Sequence, residues 1–204
     1  INGKVIQPIG AFSEAVFDAF LQPDGKIVVA GNVYDFSFEA DYAIARYLPD
    51  GTLDYSFGDK GIVVFDFDAP YDLCTAIALQ PDGKIVAAGI YSKDFLSKVS
   101  ALRLLPNGTV DSTFGNNGTV LVPVGDYGVY CTDVQIQPDG KLLLSGMVED
   151  VDYRDFFVLR LQSNGALDPS FGNAGITITS GSDKDDNSYA MALKPNGGFV
   201  LVGK

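Results

Sequence analysis

The chain of 204 residues has no histidine and no tryptophan, two cysteines and only three glutamates, Glu14, Glu39 and Glu149. Without histidine, Ser-His-Asp and Cys-His nucleophilic mechanisms and His-ligated metal sites are excluded. Basic residues are scarce: 14 Lys and Arg against 26 Asp and Glu give a formal net charge of −12. That balance argues against a nucleic-acid partner and against attraction to anionic lipid. Apolar runs such as 27–30 and 142–144 fall far short of the ~20 residues of a membrane helix, so no membrane insertion is expected. What the chain does contain is 47% hydrophobic residues, 23 Gly and 10 Pro. That is enough to bury a core, and it excludes intrinsic disorder.

Self-comparison supplies the main fact. The heptad Gln22-Pro23-Asp24-Gly25-Lys26-Ile27-Val28 recurs from Gln80, again from Gln137, and in decayed form from Lys194. A second block, 45–58, carries Arg46, Asp54, Phe57 and Gly58, with copies at Arg103, Asp111, Phe114, Gly115 and at Arg160, Asp168, Phe171, Gly172. A third mark is a strand-opening glycine at Gly3, Gly61, Gly118 and Gly175. Successive offsets are 57 or 58 residues. Cys74 and Cys131 are one period apart and read as two equivalent small buried hydrophobes. A disulfide between them would need Cα atoms within about 7 Å.

Period-2 patterning and turn chemistry convert the repeat into structure. In the second unit, strands are expected at 62–67, 75–79, 84–88 and 100–104, with tight turns at Pro81-Asp82-Gly83 and Pro106-Asn107-Gly108. Proline presets φ, aspartate bonds its own backbone and glycine accepts positive φ. The expected fold is therefore all-β: one array of about 3.5 four-stranded antiparallel blades, cut as 3–60, 61–117, 118–174 and a partial 175–204. It reads as a β-propeller or an open, propeller-like array. Closed propellers have roughly 4–8 blades, so the chain reads as part of a longer polypeptide. The partners expected from this are the remaining repeats of the same polypeptide or other protein subunits.

The QPDGKIVVAG, ARYLPDG and LDxSFG-x-x-G blocks together resemble the bacterial delta-60 repeat, a domain of unknown function with an expected β-propeller fold. The resemblance covers essentially the whole chain, and the fourth copy departs from it at Lys194 and Asn196. It implies a secreted or bacterial cell-surface protein and supplies no catalytic residues.

Meander geometry places the repeated turns at one end of the strands and the variable connections, 31–42, 90–99, 147–156, 66–73, 123–132 and 179–189, at the other. Eight tyrosines fall in these windows: Tyr34, Tyr42, Tyr71, Tyr91, Tyr127, Tyr130, Tyr153 and Tyr189. Tyrosine gives contact area with a polar tip at low entropic cost, so this end is the candidate binding surface. The alternative is that the rings flank strands and pack on neighbouring blades. Arg46, Arg103 and Arg160, eight residues before Asp54, Asp111 and Asp168, read as charge-assisted pairs pinning the long turn, with Phe57, Phe114 and Phe171 as plugs. Repetition argues against catalysis there. Two acidic stretches, Asp66, Asp68, Asp72 and Asp183, Asp185, Asp186, are candidates for calcium. Neither fits an EF-hand or the glycine-rich calcium nonapeptide, so solvated acidic loops are the favoured reading.

The functional expectation is a non-enzymatic module, without cofactor, that binds protein or glycan through its Tyr/Asp-rich face, or that spaces other domains. The alternatives are a polysaccharide hydrolase or lyase using paired aspartates, and a secretion cargo or assembly component.

Overall fold

The computed structural model describes residues 4–10, 12–181 and 184–204; Gly3 and Asp183 lie outside them. All regular structure in the described residues is β. The first sheet is β1 (Ser13–Leu21), β2 (Ile27–Tyr34), β3 (Ala40–Tyr47) and β4 (Ile62–Phe65). The second is β5 (Tyr71–Leu79), β6 (Ile85–Lys93), β7 (Leu96–Leu104) and β8 (Thr119–Val122). The third is β9 (Val129–Ile136), β10 (Leu142–Glu149), β11 (Arg154–Leu161) and β12 (Ile176–Thr179); β13 (Ser188–Leu193) and β14 (Phe199–Gly203) follow. Within each sheet, neighbours in sequence pair antiparallel. The backbone ladders of the first two sheets are joined by a single parallel bridge, Ala40↔Tyr71.

Two sequence expectations change. The glycine-opened strand closes the preceding sheet rather than opening its own: β4 pairs with β3 through Ala45↔Ile62. A period fixes the length of a repeat but not where the chain crosses between sheets. Three of the strands, β5, β6 and β7, run further than expected toward the variable end, whereas β4 stops at Phe65, two residues short of the expected 62–67. β6 and β7 pair out to Lys93↔Leu96, which leaves only Asp94 and Phe95 as the turn. Apolar alternation marks the half of a strand that packs, whereas the ladder needs only backbone, so Tyr91, Ser92 and Lys93 continue it.

The first strands of the sheets lie side by side around a common axis. Ile77 N–H donates to Asp18 Oδ2 at 2.9 Å, and Met191 N–H to Asp133 Oδ2 at 2.7 Å. The Thr75 hydroxyl donates to the Cys131 carbonyl at 2.7 Å. Each of these strands carries a bulge at one equivalent residue, Phe17, Thr75, Thr132 or Tyr189. The four bulge residues line one central funnel. Opposite each bulge the backbones come too close for a side chain. A Cβ at Gly89 would sit 1.8 Å from the Leu73 carbonyl oxygen, and one at Gly146 would sit 1.8 Å from that of Tyr130.

The core lies between sheets. Val28, Tyr42, Ile44 and Phe57 of the first pack with Ile77, Ile85 and Leu102 of the second. Val86 and Phe114 of the second pack with Val134, Leu142 and Leu159 of the third. Cys74 and Cys131 are free thiols inside these layers, and burial pushes both well above the ordinary thiol value.

Candidate recognition face

The two ends of the strands are built differently. At the repeated end, Arg46 Nε donates to Asp54 Oδ2 at 2.8 Å, Arg103 Nε to Asp111 Oδ2 at 2.9 Å, and Arg160 Nε to Asp168 Oδ2 at 2.8 Å. The guanidinium carbons lie 4.5, 4.4 and 4.7 Å over the rings of Phe57, Phe114 and Phe171. Phe57 and Phe114 are fully buried, while Phe171 is half-buried and meets Phe199 at a centroid distance of 6.2 Å. Two of these arginines also reach the next sheet: Arg46 donates to the Pro106 carbonyl and Arg103 to the Ser163 carbonyl. The repeated lysines join in, with Lys26, Lys84 and Lys141 Nζ 3.5, 3.3 and 3.0 Å from Asp54, Asp111 and Asp168. These lysines are absent from the expected pairs, although their recurrence in every PDGK turn marks them.

Burial alone would raise Asp54 and Asp111. The Ser56 and Thr113 hydroxyls and amides, with the neighbouring cations, outweigh it and hold both at about 2. Asp168 is held low by the Ser170 hydroxyl first, then by Lys141. A carboxylate whose folded value is depressed stabilises the fold above its ordinary value and loses that contribution as pH falls through the folded value. Stability is therefore expected to fall between about pH 4 and pH 2. Asp72, pushed up to about 7 mainly by burial, is already protonated in that window. Thermal melts across this range check the expectation, and a flat profile would contradict it.

The variable end exposes apolar side chains at the hairpin tips. Phe36 and Phe38 stand at the β2–β3 tip, Phe95 and Leu96 at β6–β7, and Val151 and Tyr153 at β10–β11. Phe38 has φ +62° and Phe95 has φ +64°, a left-handed conformation that disfavours any side chain. The corresponding turns at the other end place glycine in that region, at Gly25, Gly83 and Gly140. Phe95 is fully exposed; Phe38 is 60% exposed and meets Phe12 edge-on at 5.1 Å. These phenylalanines share the variable windows with the tyrosines. A large apolar residue in a turn was the available signal.

The tyrosines do not form one site. Tyr127 and Tyr153 share a crevice with Glu149, Arg154 and Asp185. Tyr130 is exposed beside them, with the Arg154 guanidinium carbon 5.6 Å over its ring. Tyr189 opens onto the central funnel. Tyr71 is exposed at the junction of the first two sheets, and Tyr34 and Tyr91 are half-buried at strand ends. Tyr42 is fully buried, its hydroxyl 2.8 Å from Ser100 Oγ of the next sheet; here the packing alternative applies.

The acidic stretches separate in the same way. Asp185 Oδ1 accepts from Arg154 N–H at 3.1 Å, and Asp186 accepts from the Gly181 amide. Asp68 is fully exposed and carries Lys93 at 3.5 Å. Asp66 and Asp72 come together with a residue the sequence did not suggest, Asp41. Burial above all, then the mutual repulsion of these carboxylates, pushes Asp72 up to about 7 against the opposing bond from the Phe67 amide. Burial likewise raises Asp41.

Compared with known families, residues 22–57, 80–114 and 137–171 match the model described as a domain of unknown function (DUF5122) beta-propeller. These spans cover about half of the chain, and each runs from the glutamine of a PDG turn to the phenylalanine of a lock. The chain belongs to this family. The DUF5122 match covers the second and third strands of a sheet with both repeated loops and the variable hairpin tip between the strands. The tips of the variable end differ from copy to copy in sequence and in length: five residues (35–39), two (94–95) and four (150–153). No curated protein matches the chain. Among the described residues, no helix is long and apolar enough to cross a membrane.

Proposed function

We propose that this DUF5122 propeller array is a non-enzymatic recognition module that docks a protein or glycan partner on its variable end. The observation that carries the reading is Phe95: an aromatic ring wholly in solvent, on a backbone conformation that disfavours side chains. The left-handed region costs an L-residue about 1–2 kcal/mol, and burial does not offset it here. Residues held against local preference at an exposed tip are the ones expected to serve a ligand. The resemblance to delta-60 repeats supports a secreted or bacterial cell-surface setting. A spacer would be served equally by the Arg-Asp-Phe locks, but it has no use for strained aromatics.

The hydrolase reading finds its acid in Asp72, held at about 7 beside two other carboxylates. Its side chain is fully buried, which denies a glycosidic oxygen access and weighs against that reading.

The test is a glycan array together with affinity capture from extracellular protein. Phe95→Asn is expected to keep stability or raise it by up to about 1 kcal/mol while weakening capture. Unchanged capture after Phe95, Tyr127 and Tyr153 are all replaced would remove the reading.

A further inference from the structure

We infer that the crevice between the first two sheets is a binding site for one divalent cation, calcium by its all-oxygen donors, held by Asp41, Asp66 and Asp72. The three residues come from separate elements: Asp41 from β3, Asp66 from the β4–β5 connection and Asp72 from the start of β5. The single parallel bridge Ala40↔Tyr71 brings β3 and β5 together one residue before Asp41 and Asp72. One carboxylate oxygen from each lies within 4.8 Å of the others. Calcium binds oxygens at about 2.3–2.6 Å, so two ligands of one ion stand at most about 5 Å apart. The spacing fits a single ion.

The second, independent observation is Asp72 itself. Its side chain is fully buried; Oδ2 accepts from Phe67 N–H at 2.7 Å, and Oδ1 meets no donor at hydrogen-bonding geometry, the Ala69 amide being the other backbone group that acts on the carboxylate. Buried carboxylate oxygens are ordinarily satisfied. Holding a connection amide explains only one oxygen. Glu14 at the equivalent position holds the Ile9 and Gly10 amides, and Asp186 holds that of Gly181. Neither belongs to such a trio among the described residues. The trio is also particular to one junction, because the equivalents of Asp41, Asp66 and Asp72 one period on are Lys98, Pro123 and Val129. Asp35, Glu39 and Asp68 line the same crevice and add negative field; Lys93 lines it too, and its Nζ donates to the Asp68 carbonyl at 2.7 Å. A cation there would relieve the repulsion of the carboxylates and join two sheets.

Calorimetric titration of the full chain with calcium chloride, alongside thermal melts in calcium and in chelator, tests this independently of the recognition reading. One calcium per chain is expected, with a higher melting temperature in calcium. Asp66→Asn and Asp41→Asn should each weaken binding by about tenfold or more while melting like the parent in chelator. Asp185→Asn should bind as the parent does. No binding at millimolar calcium, as when a shared proton satisfies the trio, would overturn the assignment. So would affinity unchanged in both Asp66→Asn and Asp41→Asn.

Discussion

Asp111→Ala is expected to lower the stability of the array by about 3–5 kcal/mol, the range for breaking a buried ion pair from one side. The substitution leaves Arg103, whose side chain is only 5% exposed, without its Nε acceptor, and takes the 3.3 Å partner from Lys84. Arg103 is the joint between two sheets, since its guanidinium also donates to the Ser163 carbonyl and covers Phe114. Asp168→Ala is the internal comparison. Arg160 there is 18% exposed, so water can replace part of what is lost, and a smaller effect is expected. Urea unfolding of the two variants and the parent measures the difference. Equal and small losses would show that the pairs behave like surface ion pairs.

Phe114→Ala is expected to cost about 3–5 kcal/mol, as for other fully buried aromatics. The ring lies under Arg103 and against the loop of the next sheet. A Cβ at Gly165 would come within 3.0 Å of its Cδ2 and Cε2. Phe57 stands in the same relation to Gly108. Removing the ring opens a void between two sheets that neither can fill alone. Phe171, half-buried, serves as the comparison, and its truncation should cost clearly less. Phe114 and Asp111 share Arg103, so their effects are not expected to add in a double variant. Thermal and urea melts of the single variants check the size, and a loss below about 1 kcal/mol at Phe114 would contradict the plug role.

The repeated end was readable because its geometry is local. An arginine and an aspartate eight residues apart, on the two sides of a turn, meet within one hairpin-like loop, and the PDG turns declare themselves by residue type. The variable end was readable only as a location. Its tyrosines stand out by residue type, while the exposed phenylalanines depend on turn length and φ, which differ in each copy. Asp41 was invisible for another reason. It lies 31 residues before Asp72 and in a different sheet, and nothing along the chain ties the two together.

By itself, the sequence determined the all-β class, the repeat length, the two unlike ends and the residues of the locks. Each follows from short-range chemistry: turn preference, strand alternation and recurrence at a fixed spacing. Only the tertiary structure decided where one sheet ends and the next begins. It also decided which carbonyls the arginines reach across that boundary and which carboxylates share a crevice. Those facts depend on how neighbouring sheets are stacked about a common axis. That stacking brings residues one period apart to within hydrogen-bonding distance, and no local pattern records it.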